Sequence, residues 1–569
     1  MTAAERRLRR RWQRRPVGAV SRVLSPHGAL ALHRVDGALL FAARAALATA
    51  SVALPAVLAG RPDLAVYAML GSFTTTFGRN LPYPRRARVL AVVAVAMTAC
   101  VGCGSALAAA ARPWEYGAGA AVVVTATAVV AGLAKYACDV TRLGGLGAVL
   151  LLFSFAVAAS GRPAPSDVLA QTAMAAAGAA VAWALALLGR FAHPDRPQRL
   201  AVASALRELA DLLDATGDDG TRPSRYRATA AVLRAYHCLG LAPPAGTPRG
   251  DREMTCVRLA DLSWSLLVGS ARGPADGEPA LPGRLRRQAG LLADRRRGDP
   301  PLLPELTPPV TTTAGAASPW SDERAWELLR GGPHPRVPVV PALRIALGTG
   351  VAGGLALLFG LGHGYWAAIS AAAVLHSVNV RTTAQRAVQR TLGTGVGLLI
   401  ALGVLATQPA PTALTLVIVA LEFLLEYVVV RNYGLGVVFL TPLALLLSDL
   451  ATPSAAGVLV LDRGLASILG IVVGLACALL VVHDRAALRV ERALEACTEA
   501  LQLAERALAD RSAPPHPVVQ VRLAVAVVEL READDAAAGE LWPAGIDPAT
   551  PATTEQRAYA LLERLQHAR

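Results

Sequence analysis

The chain has 569 residues, of which 54% are apolar and only 17% are charged, and its mean hydropathy is +0.43. Soluble proteins carry about 25% charged residues, and the apolar residues here come in long runs, so the composition excludes an ordinary soluble protein. The net charge of +15 does not indicate nucleic-acid binding, because much of the arginine lies at the ends of apolar runs or in a basic N-terminal arm.

This arm covers residues 1–38 and begins MTAAERRLRRRWQRR. Its arginines lie too far from the first apolar run to form the n-region of a secretory signal peptide. The seven cysteines are odd in number and scattered, so they predict no disulfide framework. We interpret the arm as a cytoplasmic extension of a membrane protein.

Two sets of apolar segments follow, in residues 39–192 and 339–483. A membrane-spanning helix needs about 20 mostly apolar residues. The first set contains candidates at roughly 39–60, 64–78, 87–111, 116–134, 144–160 and 167–191. The second set contains candidates at roughly 341–360, 364–379, 387–406, 412–430, 434–450 and 455–482. The second segment of each set is short, and short segments at matching positions in two halves are typical of transporters near the transport site.

Two polar regions complete the chain, at residues 193–338 and 484–569. The first contains amphipathic runs such as LAVASALRELADLLDAT and a Pro-rich linker, and it predicts a small helical domain. The second predicts helices that pack on one another. The predicted fold is therefore all-α: a polytopic membrane protein with two parallel repeats of about six transmembrane helices and helical domains in the cytoplasm.

The basic residues of the connections predict the orientation. One class of connections carries Arg79, Arg85, Arg86, Arg88, Lys135, Arg142, Arg381, Arg386, Arg390 and Arg431. The other class is short and carries only Arg61, Arg112 and Arg162. Positive residues concentrate on the cytoplasmic side, so both termini and residues 193–338 are predicted to be cytoplasmic in a bacterial inner membrane.

The two sets carry matching landmarks in the same order. The pairs are Arg44 with Arg344, Tyr67 with Tyr365, Arg86 with Arg386, and Arg142 with Arg431, at nearly constant spacing. Landmarks in one order indicate an internal duplication. Because each half contains an even number of spans, both halves begin in the cytoplasm and the repeats are expected to be parallel.

The second half also carries the run GYWAAISAAAVLHSVNVRTTAQRAVQRTLGTGVGLLIAL. A YWA near the start of a span, then Thr-x-x-x-Arg-x-x-x-Arg and Gly-Thr-x-x-Gly, resembles the fusaric acid resistance (FUSC) family of aromatic acid exporters. The match is carried by Thr382, Arg386, Arg390, Gly393, Thr394 and Gly397. The resemblance covers about 341–483 well and 39–192 more weakly. It implies efflux of aromatic carboxylic acids, whereas a distant relation to aluminium-activated malate channels implies passive anion conduction.

The candidate substrate and transport residues are charged or aromatic side chains in or beside the spans. They are Arg44, Tyr67, Arg142, Arg344, Tyr365, Trp366, Arg386, Arg390, Glu422, Arg431, Asp462 and Arg463. Arg386 and Arg390 share a helix face and would attract a carboxylate, although topology and lipid contact also explain them. Arg44 and Arg344 could snorkel to the interface. Tyr365 and Trp366 fit either a membrane-interface belt or stacking on an aromatic substrate.

Glu422 is the most informative of these candidates. It lies roughly 14 Å from Arg431 along a helix at 1.5 Å per residue, near the membrane midplane, where a charge is costly and usually functional. It could carry a proton, or it could pair with a buried arginine. Glu426 is nearer the cytoplasmic end, where snorkelling explains it. Asp462 and Arg463 have no charged counterpart in half one, where Gln171 is the nearest polar residue, so half two is expected to carry more of the chemistry.

No Walker A, HExxH or GxSxG motif is present, and we expect no enzymatic activity, metal or cofactor. The expected partners are the lipid bilayer and a small organic anion, and the sequence leaves a homo-oligomer open. Three hypotheses remain: a proton-driven exporter of small organic anions, a passive anion channel, or a membrane scaffold that acts through its cytoplasmic domains.

Overall fold

The structure is a computed structural model of the chain. It describes residues 37–567 apart from 80, 116, 142, 144–146, 216–217, 241–250, 270–279, 295–301, 307–338, 378, 452–454, 481–484, 511–516, 541–545 and 548. Arg142, residues 1–36 of the basic arm and most of the predicted linker lie outside the described residues. The secondary structure of the described part is helical, which confirms the predicted all-α class.

The helices follow the predicted order of two membrane sets and two polar regions. The first membrane set contains α1 (Ala38–Leu58), α2 (Pro62–Ser72), α3 (Tyr83–Ala111), α4 (Gly117–Val140), α5 (Gly147–Ala159) and α6 (Asp167–Ala192). The first polar region contains α7 (Arg196–Leu213), α8 (Asp218–Leu239), α9 (Asp251–Gly269) and α10 (Leu281–Ala293). The second membrane set contains α11 (Val339–Leu358), α12 (Tyr365–Leu375), α13 (Val380–Ala406), α14 (Pro411–Val428), α15 (Tyr433–Ala451) and α16 (Ala456–Leu480). The second polar region contains α17 (Arg485–Ala509), α18 (Pro517–Ala538) and α19 (Ala549–His567).

Among the described residues, nine helices are long and apolar enough to cross a membrane, which confirms a polytopic membrane protein. The three other membrane-set helices are shorter: α2 and α12 have 11 residues each, and α5 has 13. Helix α12 is buried on every side from Trp366 to Leu375, and α2 is buried from Ala65 to Ser72. A helix that is apolar all round belongs in an interior, so these short helices lie at the centre of each half.

The same helix pairs pack in both halves. In half one, α2 packs on α6 and α3 packs on α5 and α6; in half two, α12 packs on α16 and α13 packs on α15 and α16. The contacts between the halves are also reciprocal, because α1 packs on α14 while α4 packs on α11. This matched pairing is what an internal duplication predicts.

The two polar regions share one hydrophobic core. Leu206 and Trp264 of the first region lie in the same buried cluster as Leu523 and Leu562 of the second. Helix α8 packs on α18, and α9 packs on α19. We call α7–α10 with α17–α19 the polar domain. Because α7 follows α6 and α17 follows α16, this domain lies at the ends of α6 and α16; we call that end of the membrane helices the domain side and the other end the loop side.

The central helices approach their neighbours closely through glycine. A Cβ atom on Gly178 of α6 would collide with the carbonyl of Ala68 in α2, and one on Gly470 of α16 would collide with the carbonyl of Ala367 in α12. Backbone carbonyls cannot move aside as a flexible side chain can. These glycines therefore set how deeply α2 and α12 are enclosed.

We expect Gly470→Ala to destabilise the protein, because overpacking a tight interior costs about 1–3 kcal/mol. The matched control is Gly457→Ala on the same helix, where an added Cβ meets nothing within 4 Å. Thermal unfolding of the detergent-purified protein measures both. Equal melting temperatures for the two variants would contradict the close approach of α12 and α16.

Candidate functional site

Three arginines of half two lie at increasing depth from the domain side, and we call Arg386, Arg390 and Arg463 the arginine ladder. Helix α13 begins after Asn379, whose side chain accepts a hydrogen bond from the Thr382 backbone N–H at 2.9 Å. This capping box fixes the start of the helix. Arg386 is half-buried and Arg390 is only 1% exposed. Arg390 therefore lies inside the protein, apart from the exposed Arg381.

Arg390 is held by neutral hydroxyl groups. Its guanidinium donates to the Tyr433 hydroxyl at 3.2 Å and to Ser370 Oγ at 3.3 Å. Its Nε is buried without a hydrogen-bond partner. Tyr433 also lies under Arg386, whose Cζ is 5.4 Å from the ring centroid. The tyrosine thus links the first two arginines of the ladder.

Arg463 reaches the same interior from α16. It is 1% exposed, and its Cζ lies 3.8 Å from the centroid of the Trp366 ring, which is a close cation–π contact. Its Nε and one terminal nitrogen are buried without hydrogen-bond partners. Trp366 lies one turn before Ser370 on α12, so both guanidinium groups contact the same side of that helix.

The arginine ladder has no carboxylate partner in the described part of the chain. Further unpaired donors lie beside it, because the hydroxyls of Thr394 and Ser467 and the indole N–H of Trp366 are buried without partners. Thr394 is one turn beyond Arg390, and Ser467 is one turn beyond Arg463. An interior with a surplus of positive charge and hydrogen-bond donors is suited to an anion.

Half one lacks this chemistry at the matching positions. Leu90 lies one turn after Arg86, as Arg390 lies one turn after Arg386, and Leu90 belongs to the hydrophobic core. Gln171 precedes the tight glycine of α6 by the same interval as Arg463 precedes Gly470, and it is buried. Half one keeps a buried cation at Arg86, which donates to the carbonyls of Gly78 and Arg79. It has no cation at the positions of Arg390 and Arg463.

A second cluster lies where α14 of half two packs on α1 of half one, and we call Glu422, Glu426, Arg79 and Arg44 the interface cluster. Glu422 is 1% exposed, and both of its carboxylate oxygens lack hydrogen-bond partners. It lies six residues before the end of α14, roughly 9 Å from the domain side at 1.5 Å per residue. Among the described residues no arginine forms an ion pair with it, although the sequence left that alternative open.

Glu426, one turn later on α14, is the carboxylate that forms an ion pair with an arginine. Its carboxylate accepts hydrogen bonds from Arg79 at 2.8 Å and from the Thr76 hydroxyl at 2.6 Å. Glu426 is 2% exposed, so it does not snorkel to the surface as its position suggested. Arg79 stacks 3.5 Å from the centroid of the Phe41 ring, and Arg44 lies over the same ring at 4.8 Å. Arg79 and Arg44 come from half one, whereas Glu426 comes from half two. The Arg79–Glu426 ion pair therefore joins the halves.

The remaining predicted residues have local roles or lie at the edges. Arg344 is buried and donates to the carbonyls of Leu375 and Ser377 at the end of α12. Arg431, in the turn after α14, donates to the Tyr427 carbonyl near the end of that helix at 2.8 Å.

On the loop side, Asp462 pairs with His363 at 3.1 Å. The Tyr365 hydroxyl lies 3.3 Å from Ser448 Oγ, and the Tyr67 side chain is buried. None of these contacts involves a guanidinium group of the arginine ladder.

Sequence reasoning missed Arg79, Thr76, Tyr433 and Ser370 as site residues. Arg79 carried a signal, because it belongs to the basic connections, but its partner lies in the other half of the chain. Tyr433 lies in the VRNYGLG turn, which drew attention to its arginine and glycines. Ser370 lies in an alanine-rich run with no local feature to mark it.

Comparison with known proteins finds a family match in half two. Residues 351–477 match the family model described as fusaric acid resistance protein-like. Half two contains a fusaric acid resistance protein-like region. That region contains Trp366, Arg390, Glu422 and Arg463, and the resemblance predicted from the YWA and Thr-Arg-Arg pattern is confirmed there. Membrane proteins of this family are of the transporter type.

A relative matches over most of the chain. The chain is similar to the uncharacterized membrane protein YvaC of Bacillus subtilis (strain 168), with 26% identity over 544 residues, or 91% of this chain and 84% of the relative. No solved structure shows a significant match. The fusaric acid resistance-like region and this relative agree with a membrane protein, and they name no substrate.

We expect Arg79→Ala to lower stability strongly, because it leaves Glu426 as an uncompensated buried charge. Removing one partner of a buried ion pair typically costs about 3–5 kcal/mol. The double variant Arg79→Ala with Glu426→Gln should recover much of this loss, since the remaining side chain is neutral. Thermal unfolding of the parent, single and double variants measures the effect, and a double variant as unstable as the single one would argue against the pair.

Proposed function

We propose that this protein is a secondary exporter of small organic anions, aromatic carboxylic acids among them, in the bacterial inner membrane. In this proposal the domain side, with the polar domain and both termini, faces the cytoplasm. The observation that carries the proposal is the pair Arg390 and Arg463, two buried guanidinium groups without a carboxylate partner among the described residues. The family match supports transport in general, and the arginine pair supports an anionic substrate.

The charge of the arginine pair is the physical reason for choosing an anion. An unpaired charge inside a membrane protein is costly, and such residues mark ion or substrate pathways. A carboxylate can accept two parallel hydrogen bonds from a guanidinium group, and it would compensate the positive charge of both arginines. A planar substrate ring would find the Trp366 and Tyr365 side chains, whose ring centroids lie 4.6 Å apart.

The burial of these arginines favours a transporter over an open channel. A conducting pore exposes its charged lining to water, whereas Arg390 and Arg463 are each 1% exposed. The structure therefore presents a closed conformation around the ladder. A substrate could reach it only after the helices rearrange, as alternating access requires.

Glu422 supplies the proposed link to a proton gradient. An ionised carboxylate in a dry interior is costly, and uptake of a proton removes its charge. Glu422 lies on α14 one turn from the Glu426–Arg79 pair, at the contact between the halves. Gain and loss of a proton at Glu422 would therefore change the electrostatics of the surface across which the halves must move.

We expect Arg463→Gln and Arg390→Gln each to reduce anion transport at least tenfold. A hydrogen bond to a charged group contributes about 1.5–3 kcal/mol, and about 1.4 kcal/mol corresponds to a factor of ten. Flux of a panel of aromatic carboxylates into proteoliposomes measures the loss. Arg381→Gln is the matched control, because it removes an exposed arginine from the same helix. Normal flux in both ladder variants would overturn the anion site, and a folded parent without flux for any anion would favour the scaffold hypothesis.

We expect Glu422→Gln to abolish accumulation driven by a pH gradient while leaving exchange of substrate across the membrane intact. The amide keeps the size of the side chain and mimics its neutral state, so binding can persist without proton coupling. Radiolabelled uptake with a pH gradient, and counterflow without one, separate these two activities. Glu426→Gln should retain accumulation per folded molecule. Accumulation by Glu422→Gln at the parental level would instead favour the passive channel.

A further inference from the structure

The turn Ala536–Glu540 of the polar domain lies directly against the start of α13. The Arg381 backbone N–H donates to the Gly539 carbonyl at 2.9 Å. The Asn379 side-chain amide donates to the Ala536 carbonyl at 3.2 Å. A Cβ atom on Gly539 would collide with the Asn379 side chain, so the contact depends on glycine at this position. We call Ala536–Glu540 the latch.

The latch completes the hydrogen bonding of a helix N-terminus. The first N–H groups of a helix lack partners within the helix, and the macrodipole favours an acidic group there. Asn379 caps the Thr382 N–H, and the Gly539 carbonyl accepts a hydrogen bond from the Arg381 N–H. The latch therefore holds the first turn of the helix that carries Arg386 and Arg390.

The latch also faces the end of the other helix that builds the anion site. Glu540 lies in electrostatic range of Arg344 and of Arg489 in α17. Arg344 in turn donates to the Leu375 and Ser377 carbonyls at the end of α12. Helix α12 carries Trp366 and Ser370, so one segment of the polar domain meets the domain-side ends of both α12 and α13.

Half one has a contact of the same kind at the matching helix. Arg85, in the first turn of α3, contacts His237, in the last turn of α8. Helix α3 is the counterpart of α13, and α8 packs on α18, the helix that ends in the latch. The polar domain therefore holds the same membrane helix of each half at its domain-side end, through two helices that touch each other.

We propose that the polar domain is a regulatory clamp, and that the latch restrains the closed conformation of the arginine ladder until Ala536–Glu540 releases the start of α13. This proposal rests on the proposed function, because its test measures anion transport. The physical reason is that the latch contacts stabilise α12 and α13 as they stand here. Weakening contacts that stabilise the closed state lowers the barrier for leaving it, so a weaker latch should speed turnover.

The test compares Gly539→Ala with Gly290→Ala in the full-length protein in proteoliposomes. Gly290 lies in α10 of the same domain, and an added Cβ there meets nothing within 4 Å. We expect Gly539→Ala to raise hydrogen exchange at the backbone amides of residues 380–382 and to raise anion flux severalfold per folded molecule. Gly290→Ala should change neither. His237→Ala, which loosens the contact in half one without altering the latch, should also raise flux and serves if Gly539→Ala fails to fold.

Each result decides the proposal. Faster exchange with unchanged or lower flux in both loosened variants would make the latch structural and overturn the regulatory clamp. Unchanged exchange in Gly539→Ala would show that the contact does not protect the start of α13 and would also overturn it. Absence of flux in the parent chain, with normal protection of these amides, would overturn the proposed transport function and the regulation that depends on it.

Discussion

The cost of burying charge in an apolar helix bundle is the constraint on which the rest of this structure depends. Water cannot solvate a guanidinium or carboxylate group inside the membrane, so each must find a partner or have a functional reason to lack one. Glu426 finds Arg79 across the contact between the halves. Arg390 contacts two hydroxyl groups, and Arg463 contacts an indole ring. Neither has a carboxylate partner among the described residues, and this unpaired positive charge favours an anionic substrate.

The matched helix pairs of the two halves explain how such a site can exist. Matching helix pairs enclose α2 in half one and α12 in half two, and tight glycines bring α6 and α16 against them. Half one fills its interior with apolar side chains such as Leu90, which makes it a stable counterpart. Half two carries the cations on the same scaffold. Arg390 and Arg463 thus stand in half two where half one has Leu90 and Gln171.

The polar domain connects the two halves outside the membrane. Its core combines residues from both polar regions of the chain, so it can form only when both membrane sets have been made. Its helices α8 and α18 pack on each other and end at α3 and α13. A body that touches the same helix in each half is placed to respond to relative motion of the halves, which a domain attached to one half alone could not do.

The sequence by itself determined the class, the number of apolar segments and the resemblance of half two to the fusaric acid resistance family, because these depend on hydropathy, helical period and a short local pattern around YWA and Thr382. It also singled out Glu422 and Arg463, because a charge within an apolar run is visible without a structure. Only the tertiary structure decided that Arg79 pairs with Glu426 and not with Glu422. It also decided that Arg390 is buried with Ser370 and Tyr433, and that Gly539 meets the start of α13. Each of those contacts joins residues far apart in the chain, and the period of a single helix carries no record of which distant helix lies against it.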